Sequence, residues 1–299
     1  MGARLLDGET LAVKIKEGLK KEIAQLGAPH LVAVQVGENP ASRVYIKQQK
    51  KSCEEMGLTY ELKEFPADIS LEDLSYAIEE LNKDKRITGI ILQMPLPAHL
   101  DARAIQIEIA PHKDVEGLHP VNMGMLVYGN PRLAPPTALG AIELLKSSGV
   151  NLKGKEVIVV GHSEIVGKPL ALLLLASQLE SATPTVCHIA TRDLKFHTKR
   201  ADILFVAVGK AGLIKADMIK EGAIVIDIGI NRVPMLDEKG KPVLNEKGKP
   251  KKKTVGDVEF EAAKEICSYI SPVPGGVGPL TVTMLIKNTL ECAKLQKAG

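Results

Sequence analysis

A chain of 299 residues exceeds the size of one typical hydrophobic core, which favours two domains. The net charge of +3 and the 3% aromatic content argue against nucleic acid as a partner, because no basic stripe interleaved with aromatic residues occurs. The four cysteines share no C-x-x-C spacing, which excludes the usual zinc sites, and no metal is expected. No apolar run of about 18 residues occurs, so we expect a cytoplasmic protein without a membrane partner.

Helices and strands alternate along the first half of the chain. Apolar periodicity and turn residues predict helices at 7–26, 43–56, 71–81 and 102–109, and strands at 31–37, 58–65 and 89–93. Ser70 is a candidate N-cap for the third helix. The strand at 89–93 runs into Met94-Pro95-Leu96-Pro97, and ligands bind at this end of a strand in open α/β sheets. Residues 111–136 show no regular pattern, and the first domain is predicted to close near residues 133–138.

The second half has the β-α-β alternation of a Rossmann-like parallel sheet. A helix is predicted at 140–147, followed by helix-separated strands at 157–160, 185–189, 203–209 and 223–229. The polar stretch 234–253 repeats Lys-Gly-Lys-Pro, which predicts two turns of a solvated surface hairpin rather than a polyanion site. A Pro- and Gly-rich loop at 272–279 then precedes a last helix at 281–295.

The strand at 157–160 delivers Gly161 directly into a helix that is predicted from Ile165 to Leu175. A glycine turn at a helix N-terminus presents free N–H groups and the positive end of the helix dipole to a phosphate. Ser163 stands where the second glycine of the full dinucleotide fingerprint would be. The spacing alone therefore leaves open both a dinucleotide site and an ordinary strand-to-helix turn.

Several longer motifs carry a resemblance that covers nearly the whole chain. They include Asn-Pro-Ala-Ser-Arg-Val-Tyr and Gly-Ile-Ile-Leu-Gln-Met-Pro-Leu-Pro, and they end with Pro-Val-Pro-Gly-Gly-Val-Gly-Pro. In chain order the motifs lie at residues 39–45, 89–97, 111–117, 161–169 and 272–279. With them the chain resembles the methylenetetrahydrofolate dehydrogenase/cyclohydrolases, a family of bifunctional folate enzymes.

The resemblance implies an α/β fold of two domains separated by a cleft. The N-terminal folate and catalytic domain would comprise residues 1–138 plus a returning C-terminal helix at 280–299. Residues 139–279 would form a Rossmann-like domain that binds NAD or NADP, and the protein would be a homodimer. The implied reaction is hydride transfer from 5,10-methylenetetrahydrofolate to the oxidised nicotinamide, which gives 5,10-methenyltetrahydrofolate. It needs positioning and water exclusion rather than a general base.

The resemblance also implies the site residues. The catalytic positions are Tyr45, Gln49, Gln93 and Glu116. Substrate contacts are expected from these four and from Leu92, Met94, Pro274, Gly275, Gly276, Val277, Gly278 and Pro279. Cofactor contacts are expected from Thr137, Gly161, His162, Ser163, Ile165, Val166, Ile189, Gly209 and Ile230.

Gln49 is the main departure from the family pattern. In the family a Lys stands four residues after the motif Tyr and supplies acid–base help for the second activity, hydrolysis of methenyl- to 10-formyltetrahydrofolate. A neutral amide exchanges no proton at a useful pKa, and the nearby lysines, at 47, 50 and 51, lie on other faces of the helix. We therefore expect the cyclohydrolase activity to be weak or absent.

Other readings stay open at this point. They are a fully bifunctional enzyme, a folate-binding protein without turnover, and a Rossmann dehydrogenase of small acids, although no base for the last is found. The residues also leave open whether Gln49 is natural or introduced.

Three further positions bear on the ligands. Glu116 replaces the second Asp of the family's Lys-Asp-Val-Asp-Gly, keeping the charge that would face the pterin, and Asp114 is expected to be structural. NADP-using members carry Arg and Ser where this chain has His162 and Ile189, and neither replacement offers a fork for a 2′-phosphate. We therefore expect NAD rather than NADP, although Arg192 stands close enough in sequence to reach a phosphate.

Overall fold

The structure is a computed structural model that describes residues 2–176, 181–237, 241–245 and 248–298. The helices are α1 (Gly8–Leu26), α2 (Pro40–Met56), α3 (Leu71–Lys83), α4 (Ala102–Glu108), α5 (Pro120–Val127), α6 (Pro136–Lys146), α7 (Gly167–Leu174), α8 (Leu194–Thr198), α9 (Phe260–Lys264) and α10 (Val277–Ala298). The strands are β1 (Arg4–Leu5), β2 (His30–Val36), β3 (Thr59–Phe65), β4 (Gly89–Leu92), β5 (Glu156–Val160), β6 (Thr183–Cys187), β7 (Ile203–Val206), β8 (Ile224–Asp227), β9 (Asn231–Pro234), β10 (Lys252–Val255) and β11 (Tyr269–Ile270).

Contacts between Cα atoms divide the chain into two compact units. One contains Met1–Leu11 and Gly140–Leu280, and the other contains Ala12–Leu139 and Thr281–Gly299. Residues 2–11 fall in the first of these units, because β1 pairs with β11, whereas the sequence prediction grouped them with the folate domain. The two units are called the nucleotide unit and the folate unit below, after the predicted ligand of each.

The folate unit is built on a three-stranded parallel sheet in the order β3-β2-β4. The central strand β2 is almost wholly buried, because apolar clusters cover both of its faces. Leu31 and Ala33 face one cluster, while Val32 and Val34 face the other. The predicted N-cap is confirmed, since the Ser70 hydroxyl accepts the Asp73 N–H at 3.0 Å.

The nucleotide unit is built on a six-stranded parallel sheet in the order β1-β11-β8-β7-β5-β6. The mixed α/β fold class with parallel sheets is therefore confirmed. Strand β5 has β6 on one side and β7 on the other, so the winding direction reverses between β5 and β7. The carboxyl ends of strands at such a reversal form the usual ligand crevice of this sheet type.

The structure differs from the sequence prediction at one missed helix and at the start of the last helix. The stretch 111–136, predicted as irregular, contains α5, whose first turn is capped by His119 Nδ1 accepting the Val121 N–H at 3.1 Å. This helix is short and largely apolar, so it shows no 3.6-residue pattern in the sequence. Helix α10 begins at Val277 rather than at 281, because Pro279 costs no hydrogen bond in a first helical turn.

Two backbone hydrogen bonds lie beside the antiparallel pair β9–β10, each between a residue before a Lys-Gly-Lys-Pro repeat and a lysine within it. The Asp237 N–H donates to the Lys241 carbonyl at 2.8 Å, and the Asn245 N–H donates to the Lys249 carbonyl at 2.8 Å. The predicted hairpin is therefore confirmed in its described part, while residues 238–240 and 246–247 lie outside the described residues. None of the described helices is both long and apolar enough to cross a membrane.

Candidate active site

The folate unit places a buried amide cluster at the carboxyl end of its sheet. Helix α2 carries Gln49, which is 0% exposed, and Gln93 follows β4 with 4% exposure. Gln93 Nε2 donates to Gln49 Oε1 at 2.8 Å, and the Tyr60 hydroxyl donates to the same oxygen at 2.9 Å. The orientation of Gln49 is therefore set by two donors.

The other end of the Gln49 amide is unpaired. Its Nε2 is buried and has no hydrogen-bond partner among the described residues. Leaving such a donor unpaired costs about 1–3 kcal/mol, and a native structure rarely carries that cost without a reason. An acceptor atom of a bound ligand is the kind of partner that this donor lacks.

Two tyrosines stand beside the amides. Tyr45 lies one helical turn before Gln49, and burial raises the pKa of its hydroxyl to about 12. The adjacent Gln49 opposes that rise, and the charge of Glu116 adds to it. Burial likewise raises the pKa of Tyr60. Both phenols are therefore protonated donors at neutral pH.

Glu116 lies on a loop that is held closely in place. Burial, and then the charge of Asp114, raises the pKa of Glu116 to about 8. Gly117 has φ +64°, and a Cβ at that position would lie 2.7 Å from the Ala134 backbone. Asn288 Nδ2 donates to the carbonyls of Val115 at 2.7 Å and Ala134 at 2.8 Å, which fixes both sides of the loop.

The two residues before Val115 have structural contacts. The ammonium of Lys113, 2% exposed, donates to the carbonyls of Leu81 at 3.1 Å and Asp84 at 2.7 Å, at the end of α3. Asp114 is fully buried, and its Oδ2 accepts the His119 N–H at 2.7 Å. This carboxylate thereby ties the loop to the start of α5, as its expected structural role requires.

The remaining predicted residues of the folate unit are placed less tightly. Leu92 is buried in β4, whereas Met94 is exposed and its carbonyl accepts the Ser42 hydroxyl at 2.9 Å. Thr137 lies in the first turn of α6, where its Oγ1 accepts the Thr281 hydroxyl at 3.4 Å.

In the nucleotide unit, the turn after β5 is packed too closely for side chains at its glycines. Gly161 has φ +128°, and a Cβ there would lie 2.3 Å from the Ala207 carbonyl oxygen. A Cβ at Gly167 would lie 2.0 Å from the Gly161 carbonyl oxygen. Ser163, at the position of the missing second glycine, accepts the Val166 N–H on its hydroxyl at 3.2 Å and so shapes the entry to α7.

The backbone of this turn offers donors to a ligand. Among the described residues, no hydrogen-bond acceptor is found for the N–H groups of His162, Ser163 and Ile165. They precede the N-terminus of α7, where the helix dipole favours an anion. The turn therefore fits a dinucleotide phosphate, a conclusion that rests on backbone geometry and not on the Ser163 side chain.

Neighbouring strand ends supply the other predicted cofactor residues. Ile189 follows β6, Gly209 follows β7 and Ile230 follows β8, so all three lie along the same edge of the parallel sheet as Gly161. Ile189 is 66% exposed and Ile230 is 67% exposed, which leaves two apolar side chains at that edge, and Val166 is buried beside the turn. The His162 ring stacks on His188, with ring centroids 4.7 Å apart and an interplanar angle of 11°.

The loop that was predicted to end at Pro279 has a structural reason for its glycines. The Gly8 N–H donates to the Gly275 carbonyl at 2.9 Å, and a Cβ at Gly276 would lie 2.6 Å from the Pro272 carbonyl oxygen. Val277, Gly278 and Pro279 already belong to α10. Pro274, Gly275 and Gly276 thus remain as the loop proper, within the nucleotide unit.

Sequence reasoning missed Tyr60, Asn288 and His188 as parts of these sites. Tyr60 reaches Gln49 only because β3 pairs with β2, and no local pattern links the two residues. The pairing of His188 with His162 likewise depends on β6 lying next to β5. In the described part of the chain, no group of three or more His, Cys, Asp or Glu side chains is placed to hold a metal ion.

Two family models match the chain. The first, described as the catalytic domain of tetrahydrofolate dehydrogenase/cyclohydrolase, matches residues 6–116. The second, described as the NAD(P)-binding domain of tetrahydrofolate dehydrogenase/cyclohydrolase, matches residues 135–297. The resemblance read from the motifs is thereby confirmed.

Whole-chain relatives agree with the family models. The bifunctional protein FolD of Acetivibrio thermocellus is 48% identical over 303 residues, which cover 99% of both chains. The crystal structure of the bifunctional FolD dehydrogenase/cyclohydrolase of Campylobacter jejuni has a TM-score of 0.88 at 42% identity and covers 98% of this chain and 99% of that one. The Trypanosoma brucei FolD, complexed with NADP and an inhibitor, has a TM-score of 0.90 at 37% identity, with 100% of both chains covered. The chain therefore belongs to the tetrahydrofolate dehydrogenase/cyclohydrolase family.

Proposed function

We propose that this protein oxidises 5,10-methylenetetrahydrofolate to 5,10-methenyltetrahydrofolate with a nicotinamide dinucleotide, and that it has little or no cyclohydrolase activity. The observation that supports the low cyclohydrolase activity is the buried Gln49 amide, which is held by Gln93 and Tyr60. Relatives with up to 48% identity are named bifunctional, so the proposal makes this chain an exception among them.

The protein's part in the oxidation is to bind and position. Glu116 accepts from the pterin N–H groups, Tyr45 donates from its protonated hydroxyl, and Gln49 Nε2 meets an acceptor of the folate. The bound nicotinamide supplies the hydride acceptor. Because the folate nitrogens expel the hydride, the residues need only align the two carbons and exclude water.

Hydrolysis of the methenyl product requires a group that moves protons, and the cluster offers none. An amide does not titrate in the relevant range, and both phenols have a raised pKa. Burial raises the pKa of Glu116 to about 8, but in this proposal its carboxyl group is engaged by the pterin ring.

One pair of assays tests the proposal. Reduced dinucleotide should form from methylenetetrahydrofolate, and the decay of added methenyltetrahydrofolate should match the rate without enzyme. Rapid enzyme-dependent decay would make the protein fully bifunctional and refute the second half. A lack of reduced dinucleotide with both NAD and NADP would refute the first half.

We also propose NAD as the preferred cofactor. His162 and Ile189 present a stacked imidazole and an apolar side chain where a 2′-phosphate would need a guanidinium and a hydroxyl. The double substitution H162R/I189S should shift the ratio of kcat/KM for NADP over NAD by about 10- to 100-fold, the usual worth of a charge-assisted hydrogen bond. An NADP preference in the unchanged protein would contradict this proposal.

Finally, we propose a cytoplasmic homodimer that pairs through its nucleotide-binding domains. The four cysteines are free and buried, which supports a reducing compartment. Strand β6 ends the six-stranded sheet, and such an edge is available for a second copy. Sedimentation equilibrium at micromolar concentration should give twice the chain mass, and a monomer mass would refute the assembly.

A further inference from the structure

We infer that Asp257 is a positioning residue that shapes the dinucleotide site through the turn at Val208 and Gly209. The inference rests on the proposed function, because it concerns the nucleotide that this function requires. It assigns a role to a residue that follows β10 and lies far along the chain from every motif of the cofactor turn.

The contacts of Asp257 are directed at the backbone of that turn. Its Oδ2 accepts the N–H groups of Val208 at 2.7 Å and Gly209 at 2.9 Å. Its Oδ1 accepts Asn231 Nδ2 at 2.8 Å. Asp257 is 0% exposed, so the carboxylate itself faces no solvent and serves to hold the turn.

The position of the turn gives these contacts their importance. It follows β7, which lies beside β5 at the point where the winding of the sheet reverses. The Ala207 carbonyl, one residue earlier, forms the close contact with Gly161. Gly209 is exposed and has φ +67°. The turn and the phosphate-binding backbone are therefore neighbouring parts of one crevice.

A second buried carboxylate holds Asp257 itself. Asp227 Oδ1 accepts the Asp257 N–H at 3.0 Å, and its Oδ2 accepts the Val258 N–H at 2.8 Å. A Cβ at Gly229 would lie 2.1 Å from Asp257 Cγ, so this backbone is packed directly against the carboxylate. None of the ion pairs found in the described residues includes either acid, and backbone and amide N–H groups bond the carboxyl oxygens instead.

This arrangement specifies an acid and not an amide at position 257. Three N–H donors converge on its two oxygens, two from the backbone and one from the Asn231 amide. An asparagine at 257 either directs its NH2 group at a backbone donor or requires the Asn231 amide to flip, which turns the Asn231 oxygen toward the Val255 carbonyl. With D257N we expect the Kd for NAD, measured by calorimetry without folate, to rise about tenfold or more. The KM for methylenetetrahydrofolate should change by less than about twofold.

Exchanging the residues at 231 and 257 should restore NAD binding. In N231D/D257N the new amide oxygen can accept the Val208 and Gly209 N–H groups while its NH2 donates to the new carboxylate at 231. The three hydrogen bonds at the 257 side chain are kept, and only the long bond of 3.5 Å from Asn231 Nδ2 to the Val255 carbonyl is lost. This variant should therefore fold and bind NAD within about threefold of the original. A loss of NAD binding with any cause other than these hydrogen bonds would not be reversed by a second change at 231.

Asp202 provides the matched control. It precedes β7 at the opposite edge of the same sheet, where its carboxylate accepts the Glu156 N–H at 3.0 Å and the Lys220 ammonium at 2.7 Å. D202N should lower the thermal midpoint and leave the Kd for NAD unchanged.

The outcomes separate this inference from the proposed function. Unchanged NAD binding in a folded D257N, or no recovery in the exchanged pair, would overturn the inference while the unchanged enzyme still binds and turns over. If D257N does not fold, N231A takes its place, because it removes one of the three donors that hold the carboxylate. An unchanged Kd for NAD in folded N231A would then overturn the inference. An unchanged protein that binds neither NAD nor NADP would overturn the proposed function and the inference together.

Discussion

At position 49 a single side chain decides, under the proposed function, which proton transfers the folate unit can perform. The Gln49 amide is buried, accepts two hydrogen bonds on its oxygen and leaves its nitrogen free for a ligand. The substitution was visible in the sequence once the family was recognised. The second donor, Tyr60, was not, because its contact with Gln49 depends on the pairing of β2 and β3.

Replacing the amide with an ammonium should install the missing chemistry. In Q49K, burial lowers the pKa of the new lysine, and rotation of the Gln93 amide gives it an acceptor. Hydrolysis of methenyltetrahydrofolate should rise by about 100-fold, a typical gain from general acid–base catalysis. The loss of methenyl absorbance measures this rate. The control is Q48K, which adds the same charge at an exposed neighbouring position and should leave hydrolysis unchanged. No gain in a folded Q49K would show that Gln49 is not what limits hydrolysis.

From the raised pKa of Glu116 we expect the free energy of unfolding to depend on pH. Its ordinary pKa of 4.5 rises to about 8 in the folded protein, so between these values only the folded state keeps the proton. The free energy of unfolding therefore contains a contribution from Glu116 that is full below about pH 4.5 and is lost as the pH rises toward 8. Urea unfolding of the unchanged protein and of E116Q at several pH values should show a flatter curve for E116Q. Parallel curves would mean that Glu116 titrates normally.

At the scale of elements, apolar periodicity placed the long helices and the buried strands well. The helices predicted at 7–26, 71–81 and 102–109 are confirmed with small shifts at their ends. Helix α5 was missed because it is short and largely apolar, and β1 and β11 were missed because a strand of two residues has no period. Such elements exist through their neighbours, which the local sequence does not contain.

The end of α3 depends on a lysine from a distant motif. K113M removes an ammonium that satisfies the carbonyls of Leu81 and Asp84 and should lower the free energy of unfolding by about 1.5–3 kcal/mol. K83M is the matched control, since Lys83 lies at the same helix end but is exposed, and its ion pairs are with Glu79 and Glu80. Denaturant unfolding should separate the two variants clearly. Equal stabilities would contradict a role for Lys113 in capping α3.

At the scale of the whole molecule, contacts that are remote in sequence hold the loops of the sites. Asn288 is 173 residues from Val115 and 154 from Ala134, yet its amide satisfies both carbonyls. Asp257 similarly reaches back 48 residues to Gly209. In each unit the side chain that positions a loop comes from a different part of the chain than the loop itself.

The contact of Asn288 predicts an effect on folate and not on nucleotide. N288A leaves two buried carbonyls unpaired and should cost at least about 1–3 kcal/mol of stability. The loop of Glu116 should loosen, so the KM for methylenetetrahydrofolate should rise more than that for the dinucleotide. Q296A is the control, because Gln296 lies on the same helix, and its amide donates to the carbonyls of Thr88 at 2.6 Å and His112 at 3.4 Å but not to those of Val115 or Ala134. Steady-state kinetics with each substrate varied would show the difference, and equal changes in both KM values would argue against it.

The family, the α/β class, the turn at Gly161 and the unusual Gln49 could all be inferred without coordinates. Short contiguous motifs and the spacing of apolar residues indicate them. Both patterns are local in the sequence, because they follow from the conformation of a short stretch of backbone. The Tyr60 contact, the stacked histidines and the anchoring by Asn288 and Asp257 emerged only with the fold. Hydrogen bonds between distant residues leave no pattern in the chain, because strand order and helix packing choose which side chains meet.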